Sequence, residues 1–185
     1  MKLGKRDLLH RPRRLRKSEN LRRLVREARL QSDDLIAPVF VIEGDNIQNA
    51  ISTIPGIYQW SVDRIREEID QLIAAGITRI ILFGIPGEKD ELGSDSYFEM
   101  GIIQKTVRQL KEYYPDLLII TDVCFCGYTD HAHCGLIHKD DVHNDSTLDL
   151  LGKQAVSHIE AGAHIVAPSG MMDGMVGELR NALDE

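Results

Sequence analysis

No stretch of the sequence approaches the run of about 18 apolar residues that a membrane-crossing helix needs, so no span is expected. The start, MKLGKRDLLHRPRRLRK, is basic but is followed by no apolar core or small-residue cleavage site, which argues against a secretory signal. Cysteine is scarce: three in 185 residues, all between Cys124 and Cys134. An odd, clustered set does not make a disulfide framework. It points to a reducing, cytoplasmic setting and to a metal or redox site. No G-x-G-x-x-G follows the first apolar run and no Walker motif occurs, which removes two common phosphate cradles. Aromatic residues are absent from residues 1–29, where twelve Lys or Arg face three Asp or Glu, a balance of +9. The rest of the chain balances at −16. An arm without aromatics, on an acidic body that repels phosphate, is expected to dock on an acidic surface of a neighbouring subunit, the alternatives being a solvated, partly disordered tail and, ranked last, nucleic-acid binding.

What is present is a regular alternation. Residues 1–34 read as the basic arm, in which Ser18 can cap a short amphipathic helix carrying Leu21, Leu24, Val25 and Ala28. LIAPVFVIE (Leu35 to Glu43) reads as a strand and residues 44–60 as a loop. Ser61 caps the next helix, with Val62, Ile65, Ile69, Leu72 and Ile73 on its apolar face and Gly76 at its end. RIILFGI (Arg79 to Ile85) is a strand, Gly101 to Tyr114 a helix, and LLIITDVCF (Leu117 to Phe125) a third strand. A capping box at Ser146 and Asp149 opens a helix to about Glu160, with Gly162 beyond it. HIVAPS (His164 to Ser169) is a fourth strand, and Met175 to Leu183 a last helix.

Strands that are apolar throughout suit a parallel sheet buried on both faces. Repeated β/α units mean an α/β fold. A flavodoxin-like or Rossmann sheet is one solution; the other is a (β/α)8 TIM barrel, of which four units over residues 35–185 are half.

The chemistry concentrates in TDVCFCGYTDHAHCG, Thr121 to Gly135. If the third strand continues, Leu118, Ile120, Asp122, Cys124 and Cys126 share one face, apolar at its start and polar at its C-terminal end. That end is where sites form in parallel α/β folds. The spacing C-x-C-x7-C brings Cys134 back by a loop. Three thiolates suit zinc, either with His131 or His133 as a fourth ligand or with an open position. Asp122, two residues before Cys124, is read as an active-site carboxylate. Ser169 occupies the equivalent strand end one unit later. His138, His143, His158 and His164 share no ligand spacing and are read as surface or helix-packing residues. Lys153 is read as solvated, and Met171 with Met172 as packing.

The same segment, together with VAPSGMMDGMV, resembles the porphobilinogen synthase, or δ-aminolevulinic acid dehydratase, family. The family's zinc segment has the form DVC-x-C-x-YT-x-H-G-HCG, here Asp122 to Gly135, with Ala132 where Gly is common. The family's VAPSDMMDG is seen from Val166 to Gly174, with Gly170 where Asp is usual. RPRRLR, LIAPVFVIEG, IPGIYQWS and LFGIPGEKDELGSDSY are also similar to the family, so the likeness covers nearly the whole chain. It implies a TIM barrel whose N-terminal arm wraps a neighbour in an octamer. It implies condensation of two 5-aminolevulinate molecules to porphobilinogen in heme and other tetrapyrrole synthesis. By the resemblance, Cys124, Cys126 and Cys134 hold a catalytic Zn2+, and Asp122 and Ser169 line the active site. The family's two Schiff-base lysines lie in the second half of the barrel and match no lysine here. The chain alone is therefore expected to bind zinc without turnover, the alternative being a non-catalytic zinc-binding or assembly module.

Overall fold

The computed structural model describes residues 9–185; the basic stretch before them lies outside the described residues. Two compact units meet in sequence between Asp34 and Leu35. In the first, a 3₁₀ turn over Pro12–Arg16 precedes helix α1, Glu19–Leu24. Ser18 caps α1 as expected, its hydroxyl accepting from the Leu21 N–H at 3.3 Å. The helix stops four residues before Ala28. Leu24 is 77% exposed, so little apolar burial supports a further turn, and a helix this short has little stability of its own.

The second unit contains strands β1 (Ala37–Ile42), β2 (Gln48–Ala50) and β3 (Tyr58–Ser61), then helix α2 (Arg66–Ala74). Strand β4 (Arg79–Ile85), helix α3 (Ile102–Tyr113) and strand β5 (Leu118–Val123) follow. A small antiparallel pair, β6 (Ile137–His138) with β7 (Asp141–Val142), leads into helix α4 (Asn144–Glu160), strand β8 (Ile165–Pro168) and helix α5 (Met175–Asp184). The main sheet has the order β2-β3-β1-β4-β5-β8. Strands β1, β4, β5 and β8 are mutually parallel neighbours in chain order, the pattern that right-handed β/α crossovers produce. The fold class is α/β with a parallel sheet.

The helices bury one face of this sheet. Val39, Val41, Ile80, Leu82 and Ile119 pack under Ile65, Ile69, Ile103, Val107 and Leu110 from α2, α3 and the turn before α2. Val123 packs with Leu151, Ala155, Met175 and Leu179 from α4 and α5. Each buried aliphatic side chain contributes roughly 1.5–3 kcal/mol, so Ile69→Ala is expected to cost about 2–5 kcal/mol. The opposite face departs from the expected double burial. Phe40 and Phe83 stack there with centroids 5.2 Å apart, yet both are only half-buried, and Ile165 is 45% exposed. Within this unit the helices pack on the face that carries Val39, Val41, Ile80 and Leu82, and the half-buried Phe40 and Phe83 alternate with those residues along β1 and β4.

Three local expectations are corrected. The loop over residues 44–60 contains β2 and β3, and β3 joins β1 in parallel. Ser61 does not cap α2. Its hydroxyl accepts from the Ile47 N–H at 2.8 Å, tying the β2 approach to β3, and α2 begins at Arg66. Ser146 does not open α4 either. His143 is the cap, its Nδ1 accepting from the Ser146 N–H at 3.3 Å, so Ser146 lies inside the first turn. Gly76 does end α2: with φ at +80° it lets the Ile77 N–H reach the Leu72 carbonyl at 2.9 Å.

Candidate metal centre

β5 ends at Val123, and a single tight turn follows. The Phe125 carbonyl accepts from the N–H groups of Tyr128 (2.8 Å) and Thr129 (3.0 Å). Burial of both Phe125 and Tyr128 pins this turn to the core. The chain then folds back. The Thr129 hydroxyl donates to the His133 carbonyl at 2.9 Å, and Ala132 adopts a left-handed φ of +59°. Cys134 is thereby returned to the end of β5. The loop after β4 supports it from the side: the Asp130 N–H donates to the Asp90 carbonyl at 3.1 Å.

The result is a cluster of sulfurs. Cys124 Sγ lies 3.3 Å from Cys126 Sγ and 3.4 Å from Cys134 Sγ, and all three lie within 4.8 Å of one another. Four bonds of 2.3 Å in a tetrahedron separate sulfurs by about 3.8 Å, so the donor set fits a soft, tetrahedral cation. Crowding and burial oppose ionisation. Burial and the Cys124 sulfur push the Cys126 thiol up to about 12, and the same causes raise Cys134. A cation here would substitute for protons that the cluster otherwise retains. Cys124 is buried, Cys134 half-buried and Cys126 exposed, so the site opens on one side.

His131 and His133 bond to each other's backbone. The His131 Nδ1 accepts from the His133 N–H at 3.2 Å, and the His133 Nδ1 donates to the His131 carbonyl at 2.9 Å. Neither imidazole belongs to the sulfur cluster, whose members are three thiols among the described residues.

Asp122 and Ser169 come together as neighbouring strand ends. Asp122 is paired in register with Ala167, and the Ser169 N–H donates to the Val123 carbonyl at 3.2 Å. Burial raises the pKa of the Asp122 carboxyl, while the Ser169 hydroxyl pulls against that rise. A carboxyl so placed can hold or release a proton beside the sulfurs. At Gly170 an added Cβ would meet Met175 Sδ at 3.2 Å, a contact that a flexible methionine can relieve, so packing alone does not demand glycine there.

The remaining predicted bystanders divide. Lys153 is exposed. Met172 is buried, but Met171 is 64% exposed and does not pack as expected. The His164 Nδ1 accepts from the Ile119 N–H at 3.1 Å. His158, by contrast, is fully buried, and burial holds its pKa down at about 4. It belongs to a polar network that sequence reasoning missed, with Thr121, Ser96, Gln104, Gln154 and Ser157. The available signal was Gln154 and His158 one turn apart on the same α4 face as Leu151 and Ala155.

These features define a class: a parallel α/β protein with a cluster of three thiols and a buried carboxyl at the C-terminal ends of its strands. The profile of the delta-aminolevulinic acid dehydratase family matches residues 9–185, and the chain belongs to that family. It is 50% identical over 174 residues to the delta-aminolevulinic acid dehydratase of Halalkalibacterium halodurans, covering 94% of this chain and 53% of the relative. The protein of the same name from Ruminiclostridium josui is 47% identical over 178 residues, covering 96% of this chain and 87% of that one. The crystal structure of the Toxoplasma gondii ME49 delta-aminolevulinic acid dehydratase (porphobilinogen synthase), solved with its reaction product porphobilinogen, superposes with a TM-score of 0.91 at 33% identity. That match covers 96% of this chain and 51% of the neighbour, so the chain spans about half the length of the Halalkalibacterium and Toxoplasma proteins.

Proposed function

We propose that this chain forms the metal-bearing part of an enzyme that joins two molecules of 5-aminolevulinate to give porphobilinogen, losing two waters, in tetrapyrrole synthesis. Its ion is zinc, held by Cys124, Cys126 and Cys134. Its four parallel β/α units form the first half of a (β/α)8 barrel, and residues 1–34 dock on a neighbouring subunit of an octamer in the cytoplasm. The observation that carries the reading is the convergence of three thiols beside the Asp122–Ser169 pair at the C-terminal strand ends. Family membership and the product-bound neighbour support it.

Zinc bound there supplies a Lewis acid that polarises a carbonyl or acidifies a bound water. The chain's own residues do the rest of what is available locally. Cys124, Cys126 and Cys134 would hold the ion, and a fourth position would be open to substrate or water, since neither nearby imidazole belongs to the sulfur cluster. Asp122, with its raised pKa, takes up or delivers a proton at its carboxyl oxygen, and Ser169 tunes and orients that carboxyl. The covalent lysines that the family resemblance implies have no counterpart here. Lys105 is bound to Glu43 at 2.8 Å, Lys111 lies 3.1 Å from the His164 Nε2, and Lys153 is exposed.

Two measurements test the proposal. X-ray absorption of the zinc-loaded chain is expected to give three sulfurs, one light atom and no imidazole signature; a histidine ligand overturns the open site and favours a non-catalytic module. An assay of porphobilinogen formation by the 185-residue chain alone is expected to show none, and turnover would overturn the division of the site between metal and lysine halves.

A further inference from the structure

The end of β5 is held from behind by one helix at two points. Gln154 and His158 lie four residues apart on α4 and are both fully buried. The Gln154 Nε2 donates to the Cys124 carbonyl at 3.3 Å. The His158 Nδ1 lies 3.0 Å from the Thr121 hydroxyl, and its Nε2 lies 3.2 Å from the Ser96 carbonyl. A carbonyl can only accept, so Nε2 carries the hydrogen and Nδ1 accepts from Thr121. Thr121 and Cys124 bracket the C-terminal end of β5, and Cys124 is the first thiol of the cluster.

The same network fixes α4 to the neighbouring elements. The Ser157 hydroxyl donates to the Gln154 carbonyl at 2.9 Å, and the Gln104 Nε2 of α3 donates to the Ser157 hydroxyl at 2.8 Å. The Gln104 Nε2 also donates to the Ser96 carbonyl at 2.9 Å, the carbonyl that His158 shares. A chain of buried and part-buried hydrogen bonds therefore runs from α3 and the loop before it, through α4, to the backbone of a thiol-bearing residue. Buried polar groups are costly to place and hold one geometry when paired, which is poor economy for plain core packing. Leu or Met at position 154 would fill the same space. What the amide adds is a directional hold on Cys124.

We infer that Gln154 and His158 form a clamp that positions Cys124 for metal binding, acting on β5 through the Cys124 carbonyl and the Thr121 hydroxyl. They are positioning residues and touch neither metal nor substrate. The inference rests on the metal reading above, and its test separates the two. Cobalt(II) is titrated into the 185-residue chain while the sulfur-to-cobalt charge-transfer band is followed, with thermal stability recorded for each variant. Gln154→Met keeps the volume and removes the donor. It is expected to weaken cobalt affinity by about 10- to 100-fold and to alter the band, as loss of an outer-sphere partner does. Thr121→Val, which keeps shape at the other jaw, is expected to weaken binding in the same direction and decides the matter if Gln154→Met does not fold. Leu151→Ala, a core change on α4 outside the network, is expected to lower stability but leave the band and affinity in place. A wild-type band that the clamp variants leave unchanged, or an equal loss in Leu151→Ala, overturns the clamp while the metal reading stands. Absence of any band in the wild type overturns the metal reading and the clamp with it.

Discussion

Cys124 Sγ and Cys134 Sγ lie 3.4 Å apart although ten residues of chain separate them. That proximity is made by the turn at Phe125 and the return at Ala132. Because Cys126 is pushed up to about 12 and Cys134 is also raised, both remain protonated at neutral pH. Metal binding must therefore expel protons. Zinc titrated into the chain near pH 7 is expected to release about two protons or more per ion, read by calorimetry in buffers of different ionisation enthalpy. Cys134→Ser is expected to lower that number along with the affinity; release that does not change with the variant would exclude Cys134 as a ligand.

Asp122 binds its proton more tightly than an ordinary carboxyl because it is buried at the strand end, and Ser169 partly offsets this. Ser169→Ala removes the offset, so the Asp122 pKa is expected to rise further, as read by carboxyl NMR titration. The sign for stability follows. A carboxyl whose folded pKa exceeds its unfolded value favours folding while protonated and loses that contribution as pH rises through the carboxylate range. Asp122→Asn is expected to flatten this part of the stability profile. No shift of Asp122 in Ser169→Ala would mean the two side chains do not interact.

Much of this arrangement was legible in the sequence, for identifiable reasons. Strands β1, β4, β5 and β8 are apolar runs bounded by turn residues, and Gly76 and Ser18 end and begin helices by chemistry that is local to them. Cys124, Cys126 and Cys134 were visible because so few residue types supply soft ligands. Other features depended on partners distant in sequence. Ser61 has the composition of a cap, but Ile47 claims its hydroxyl. His143 caps α4 with a ring nitrogen, a role that capping patterns assign to hydroxyls and carboxylates. The short β3 pairs with β1 and β2 with β3, partners that their own pattern does not announce. Gln154 and His158 look like ordinary polar helix residues until α4 is packed on β5.

Ala132 occupies a left-handed backbone position at φ +59°, within the loop that returns Cys134 to the cluster. An L-residue with a Cβ pays roughly 1–2 kcal/mol there, which glycine does not. Glycine is the common residue at this place in the resembled zinc segment. Ala132→Gly loses part of the gain to the greater freedom of its unfolded chain. The variant is expected to raise stability by about 0.5–1 kcal/mol in urea denaturation, with cobalt affinity unchanged or tighter. A loss of stability would show that the loop tolerates the alanine without strain.

His158 makes the fold sensitive to acid. Its ring accepts from Thr121 and donates to Ser96, a pairing that only the neutral imidazole can make. Burial lowers its pKa from 6.5 to about 4. The unfolded chain therefore binds a proton at higher pH than the folded one. The sign is that stability is fully present above pH 6.5 and falls as pH drops toward 4. At about 1.4 kcal/mol per pH unit, the total loss across that interval is about 3 kcal/mol, of which about 2 kcal/mol falls between pH 7 and pH 5. Urea midpoints measured over this range are expected to decline accordingly in the wild type. His158→Gln removes the titration and is expected to be less stable at pH 7, because it leaves Thr121 or Ser96 short of a partner, but to decline less between pH 7 and pH 5. Parallel profiles for the two proteins would place the acid sensitivity in other groups.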